Sequence, residues 1–384
     1  MNRKKERRAE LTSAILSLSM LTVMAGAAVA PALSVINEHF RSEDQALVQM
    51  IISMPALFIF LTNMIFPKLC SIFRAKELTM AGLIIYVTGG CMAGLFENIW
   101  MVLVFRALVG VGVGIIMPMS TGLLSFYYTR DKQDKLMGYS SAMNQMGGVI
   151  ATLVSGLLAN ISWRASFLVY LMGLPCIILC LMFLPNEKIS SAKGKKEKGV
   201  FKAYWPFIVS MFLLMFTFFI YPSNFAIETA EEGVVPMKYV AIIMAGMDLV
   251  AFIGGLSYAQ IRKHTGKMTR FVSPVLFFAG YLLLLTVGGW VGAIFGSACV
   301  GFANGLGVPF IMSTAGQRAG RSAATTVMPL LSMALYLAQF TTPLILSAIG
   351  GHPYVIASCS AVLFAFCSIA IKAEGAAKDA VLQE

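Results

Sequence analysis

Charge is what this sequence has least of. Only 12% of its 384 residues are Asp, Glu, Lys or Arg, against roughly 25% in an ordinary soluble domain. That scarcity excludes a charged, water-facing surface of normal density. Its seven cysteines are scattered, nearly all inside apolar runs, with no pair in the predicted outside loops, so no disulfide framework is implied. Cys176 and Cys180 share a helix face, but two thiols without His or carboxylate neighbours make a poor metal site. The three histidines (His39, His264, His352) lie at loop edges, which leaves no clustered metal site and no Ser–His–Asp arrangement. A Gly-Lys-Ser phosphate loop is also missing, which argues against ATP hydrolysis within the chain. The sequence therefore reads as that of a non-enzyme without cofactor or metal.

What is present is apolar. Hydrophobic residues make up 58% of the chain, with 34 Gly and 25 Met. About 18 or more apolar residues suffice to cross a hydrocarbon core about 30 Å thick. Twelve such runs are found, at roughly 11–36, 46–66, 77–95, 98–121, 136–160, 164–184, 204–227, 237–259, 270–288, 290–313, 322–346 and 353–371. The expected fold is an all-α membrane protein of twelve transmembrane helices. The first run resembles a secretory signal, with basic residues before it and Ala28-Val29-Ala30 before Pro31. Its removal would leave eleven spans, so it is read as a retained helix.

Basic residues set the orientation. With the amino terminus inside, the inner segments hold 25 of the 29 Lys and Arg, and the outer loops hold three: Arg41, Arg164 and Lys238. This bias places both termini in the cytoplasm and the chain in the cytoplasmic membrane. The formal net charge of +11 is then a topology signal with anionic lipid headgroups as counter-charge, and no nucleic acid is needed to explain it.

One offset relates the two halves. Gly110, Gly112, Gly114 and Pro118 fall 191 residues before Gly301, Ala303, Gly305 and Pro309, and the same offset carries Met137 onto Met328, Ser141 onto Ser332 and Lys76 onto Lys267. Paired halves with Gly/Pro-interrupted helices point to a secondary transporter. The expected division is a basic tail (1–10), a six-helix bundle (11–184), a basic cytoplasmic linker (185–203), a second six-helix bundle (204–371) and a short tail (372–384), two pseudo-symmetric bundles in one monomer.

The glycines and prolines repeat, as close helix packing needs. The polar residues do not: Asn304 falls on Val113, Asn144 on Leu335, Arg106 on Ser297 and Asp248 on Leu57. The third, sixth and ninth runs are nearly all apolar and are expected against lipid, with the others around a central cavity. Candidate substrate-binding or coupling residues are therefore Asp248, Arg106, Asn144, Gln145, Asn304, Gln339, Asn224 and Tyr221. Asp248 lies near the middle of the eighth run, where a charged carboxylate costs about 2.5–3.5 kcal/mol. It reads either as a proton-coupling or cation-binding group or as a structural Asp bonded to hydroxyls. The aromatic stripe Phe212, Phe216, Phe218, Phe219, Tyr221, Phe225 reads either as a pocket wall or as packing, and Pro222 is expected to break that helix.

The segment Arg106-Ala-Leu-Val-Gly110-Val-Gly112-Val-Gly114-Ile-Ile-Met-Pro118 resembles the fourth-helix motif of drug–proton antiporters in the major facilitator superfamily, with Val109 in place of the usual Gln. Trp163-Arg164-Ala-Ser-Phe167 is similar to the family's junction between helices five and six, and Leu69 to Lys76 sits where its signature loop belongs. The resemblance implies a twelve-helix major facilitator fold, alternating access and a role for Arg106 in proton coupling; a structural anchor is the alternative for that residue. Departures accompany it: Ser71 stands where the family usually has Asp, and Ala151-Thr152 where the antiporter motif has Gly-Pro. The expected activity is proton-coupled efflux of a small amphipathic compound. An importer or uniporter, and a non-transporting sensor or lipid translocase, stay open.

Overall fold

The computed structural model describes residues 2–128, 130–188, 200–233, 235–287 and 289–371; most of the expected linker and the tail after 371 lie outside them. All regular structure among the described residues is helical. Eleven segments are long and apolar enough to cross a membrane, one of them 50 residues long, Met237–Thr286. At 1.5 Å per residue a continuous helix of that length would reach about 75 Å, more than twice a hydrocarbon core. It is two helices, Met237–Thr265 and Thr269–Thr286, separated by a tight turn at Gly266–Met268. Gly266 adopts φ +52°, which a side chain would resist, and Lys263, His264 and Lys267 around this turn are exposed. The described residues thus make twelve crossings.

In order the spans are Ala9–His39, Gln45–Ile72, Ala75–Leu95, Ile99–Leu124, Ala142–Ala159, Trp163–Phe183, Ala203–Glu232, the two just named, Gly289–Arg318, Val327–Ile349 and Pro353–Ala370. Several begin at a polar cap, where side chains satisfy backbone N–H groups that a helix start leaves open. Asp44 accepts from Ala46 N, Asn98 from Trp100 N and Ser162 from Ala165 N. Pro55, Pro67, Pro118 and Pro274 sit inside unbroken helices, whereas Pro31 lies in a turn, Ala30–Ala32, that parts two helices of the first span. The expected interruption at Pro222 is absent, and one helix runs Val200–Glu232 through it. In hydrocarbon, a broken turn would expose several backbone groups with no water to bond them, whereas a continuous helix forgoes only one N–H.

Contacts group the chain into two compact units. One holds the first six spans with Pro222–Leu249 and Gln339–Gly350; the other holds the seventh span up to Tyr221, Val250–Ala338 and the twelfth span. The grouping cuts the seventh, eighth and eleventh spans, because their Pro222–Leu249 and Gln339–Gly350 segments pack on the first unit. There Gln49 donates to Asn224 at 2.7 Å, and a side chain on Gly156 would overlap Ala241.

Inside each unit the 191-residue repeat reappears as geometry. A Cβ at Gly89 would meet Leu108 Cβ at 2.9 Å and Phe105 O at 3.0 Å; one at Gly280 would meet Cys299 Cβ at 3.0 Å and Gly296 O at 3.0 Å. Each of these contacts maps onto its counterpart at the 191-residue offset. Both basic loops cap a helix end, though with residues that do not share the offset: Lys76 caps the carbonyl of Leu181 at the end of the sixth span, and Arg270 caps those of Ile369 and Ile371 at the end of the twelfth. Cations suit helix C-termini, where carbonyls lack partners. Side chains such as Leu171, Leu174, Ile178 and Leu181 of the sixth span and Phe278, Leu282 and Leu285 of the ninth are exposed, as lipid-facing surfaces should be.

A paired substitution tests this packing. A Cβ at Gly110 would lie 2.3 Å from Pro55 O, whereas one at Gly122 would meet nothing within 4 Å. Gly110→Ala is expected to lower stability by about 1–3 kcal/mol through overpacking. Gly122→Ala should be neutral or stabilise by up to about 1 kcal/mol. Thermal unfolding of the purified variants checks both.

Candidate functional site

Arg106 is fully buried in the fourth span. Its Nε donates to Ile51 O at 2.6 Å, its Nη1 to the Tyr170 hydroxyl and its Nη2 to Ala25 O. The Tyr170 hydroxyl also donates to Ala25 O at 3.1 Å, and the guanidinium lies 5.4 Å from the Tyr170 ring centre. Four spans, the first, second, fourth and sixth, thus meet at one cation. Arg106 pairs with no carboxylate among the described residues. A cation that cannot shed its proton is here neutralised by carbonyl dipoles and a ring face.

At the matching place in the other half stands Ser297, bonded to the hydroxyl of Tyr221 at 2.6 Å. Tyr221 and Ser297 are both buried. The same helix pairing is kept with smaller, neutral chemistry.

Asp248 has a different environment. It is half-buried, and its Oδ2 accepts from Thr152 Oγ1 at 3.3 Å. It also lies over Gly148, 3.9 Å from where a Cβ would be, with Val23 of the first span alongside. One turn further along the fifth span, Asn144 Oδ1 accepts from Thr22 Oγ1 at 2.6 Å. Asn144, Gly148 and Thr152 are spaced by four residues, so they share one helix face. Gln145 is half-buried beside them. Asp248 forms no ion pair among the described residues. A carboxylate held by one hydroxyl and no cation can take up and release a proton, or hold a small cation, at little structural cost.

The remaining candidates are dispersed. Asn224 is buried and bonded to Gln49, and the buried Gln339 approaches Gly26, with its Nε2 3.2 Å from the Cβ position there. In the second unit Asn304 keeps a buried Oδ1 without a hydrogen-bond partner. The structure therefore brings Asp248 and Asn144 onto one face and leaves Arg106, Asn224 and Tyr221 in separate pairings. Thr22, Tyr170 and Gln49 are not among the residues singled out from sequence, and Thr152 entered there only as a departure from the antiporter motif. The four-residue spacing of Asn144, Gly148 and Thr152 is the signal that would have found Thr152; nothing in the first span marks Thr22.

The family profile of the Major Facilitator Superfamily matches residues 15–343. The chain belongs to the Major Facilitator Superfamily. Among relatives, Multidrug resistance protein 3 of Bacillus subtilis is 25% identical over 153 residues, covering 40% of this chain and 29% of that protein. Quinolone resistance protein NorA of Staphylococcus aureus is 22% identical over 221 residues, covering 55% of each. The matched stretches thus span about half or less of these relatives' own lengths. The crystal structure of the nucleoside transporter NupG superposes with a TM-score of 0.75 at 13% identity, covering 94% of this chain and 98% of that one, a likeness of fold. This superfamily member is a multi-pass membrane protein of the major facilitator fold.

The bonds of Arg106 make a measurable prediction. Arg106→Lys cannot reach two carbonyls and a hydroxyl together and should cost about 1.5–3 kcal/mol per lost charge-assisted bond. Tyr170→Phe, which removes one hydroxyl, should cost about 0.5–1.5 kcal/mol. A double-mutant cycle by thermal unfolding should show the two effects coupled, since the residues are bonded.

Proposed function

We propose that this transporter exports a small amphipathic organic compound across the cytoplasmic membrane by alternating access, in exchange for protons, as a monomer with both termini inside. The six-helix halves at 11–184 and 204–371, joined by the 185–203 linker, are its two working bodies. The observation that carries the reading is Asp248. It is a carboxylate near the middle of a span, held by Thr152 Oγ1 at 3.3 Å, with no cationic partner among the described residues. Such a group is costly when charged in hydrocarbon, so its charge state is tied to which side admits water. In this reading Asn144, Gln145, Asn304, Gln339, Asn224 and Tyr221 orient substrate or hold the helices that do, and Arg106 keeps four spans in register around them. Export is supported by the multidrug and quinolone resistance relatives.

A second reading, import or uniport of an organic solute, is favoured by Ser71 and Ala151-Thr152, which stand where antiporters carry their motif residues.

Inverted membrane vesicles with an imposed pH gradient separate the two, with ethidium as the probe. Export predicts accumulation that stops when the gradient is collapsed. Asp248→Asn should cut gradient-driven accumulation by about tenfold or more, equivalent to at least about 1.4 kcal/mol, while leaving exchange at zero gradient near wild type. An Asp248→Asn protein that accumulates probe normally, with unchanged pH dependence, would sink the coupling role.

A further inference from the structure

Two long stretches of the second half carry no Asp, Glu, Lys or Arg: Phe271 to Gln317 and Ser322 to Ile371. His352 is the one histidine in them. It is exposed, between the eleventh and twelfth spans, at the end of the helices opposite the basic loops.

The twelfth span starts on this residue. Pro353 opens the helix and has no N–H to satisfy. The next three donors all end on His352. Tyr354 N donates to its Nδ1 at 3.3 Å, and Val355 N and Ile356 N donate to its carbonyl at 3.1 and 3.3 Å. A ring nitrogen accepts such a bond only while it carries no proton, so the neutral ring holds its proton on Nε2. Once charged, the imidazole is a donor at both nitrogens, and it puts a cation at a helix N-terminus, where positive charge is disfavoured. Both changes act against the cap.

Capping alone is one explanation, since any helix start needs an acceptor. The first half shows how that need is met without a ring: Asp44, Asn98 and Ser162 cap the second, fourth and sixth spans. Ser162 opens the counterpart of the twelfth span and accepts from Ala165 N at 3.1 Å. Asp, Asn and Ser are preferred caps, and His is not among them. What the imidazole adds is a change of charge between about pH 5 and pH 8.

No charged side chain meets the ring from the helix beside it. The ring centre lies 5.3 Å from that of Tyr354, which lies 5.8 Å from that of Tyr281 on the ninth span, packed beside the twelfth. Neither phenol is charged in this range. The ninth span's one charged residue, Arg270, stands at its other end. Gly350 and Gly351 precede His352 with φ +70° and +90°, conformations that side chains resist. The contact grouping passes from the first unit to the second between these two glycines.

We propose that His352 is an acid-sensitive cap: its protonation on the outer face opens the first turn of the twelfth span, frees the Gly350–Gly351 turn and quickens the conformational step of transport. The proposal rests on the orientation and the export given above, in which the outer face is the proton-rich one. The proton comes from water and returns to it as the pH rises. The bond lost and regained is the one from Tyr354 N to Nδ1. Acid outside then both drives the exchange and loosens the joint that has to move during it.

His352→Asn and His352→Ser keep an acceptor that does not titrate, and either one suffices for the test. Full-length protein in lipid nanodiscs is moved into deuterated buffer, and the amides of Tyr354, Val355 and Ile356 are followed. At about pH 5.5 they should exchange about fivefold faster in wild type than in these variants, the scale of one lost cap, and at about pH 8 all should agree. His352→Ala should exchange fast at both. Equal rates in wild type and capped variants at the acid pH overturn the switch and leave the export reading standing. In inverted vesicles at a constant pH difference, acidifying both sides should raise ethidium accumulation about twofold more in wild type than in His352→Asn. An equal response overturns the effect on transport. His352→Cys should react with an impermeant maleimide, beyond the wild-type level, in intact cells and not in inverted vesicles. The opposite pattern overturns the orientation, and the outer placement of the switch with it.

Discussion

Water is absent from most of the surroundings of this chain, and every polar group has to find its partner within the protein. The helices meet that demand for the backbone, which is why even Pro222 leaves its helix unbroken. Side chains meet it in pairs and small clusters: Gln49 with Asn224, Tyr221 with Ser297, Arg106 with two carbonyls and Tyr170. Close approach of helices makes these pairings possible, and glycines at repeated positions permit the approach.

Against that background the two intramembrane charges stand apart from each other. Arg106 has no exposed surface and all three guanidinium nitrogens are engaged. Its bonds reach the first, second and sixth spans from the fourth. Asp248 is half-buried and engaged by a single hydroxyl. The same contrast separates the symmetric from the asymmetric parts of the repeat. Contacts such as Gly89 with Leu108 and Gly280 with Cys299 are matched, whereas Ser19, bonded to Ser140 at 2.6 Å, has as its counterpart Ser210, whose Oγ is buried with no partner among the described residues.

Much of the fold was legible in the chain. Apolar runs gave the spans to within a few residues, because length and composition alone decide whether a segment can cross hydrocarbon. The repeat offset survived into atomic contacts. The site was legible in part. Asp248 and Asn144 stood out as polar residues in apolar runs, and the structure puts them on one face with Thr152. Thr22 and Thr152 did not stand out, because a threonine in a membrane helix commonly bonds its own backbone and carries no mark of a longer-range partner.

By itself the sequence determined the crossing helices, the internal repeat and the packing glycines, since these follow from local hydropathy and from residue size at fixed spacing. Only the tertiary structure decided that Arg106 is enclosed, that Asp248 meets Thr152 over Gly148, and that Ser19 finds partners Ser210 lacks. Those outcomes depend on which faces of distant helices meet. Helix orientation about its own axis is set by the neighbours it packs against, and no local pattern in one helix encodes them all.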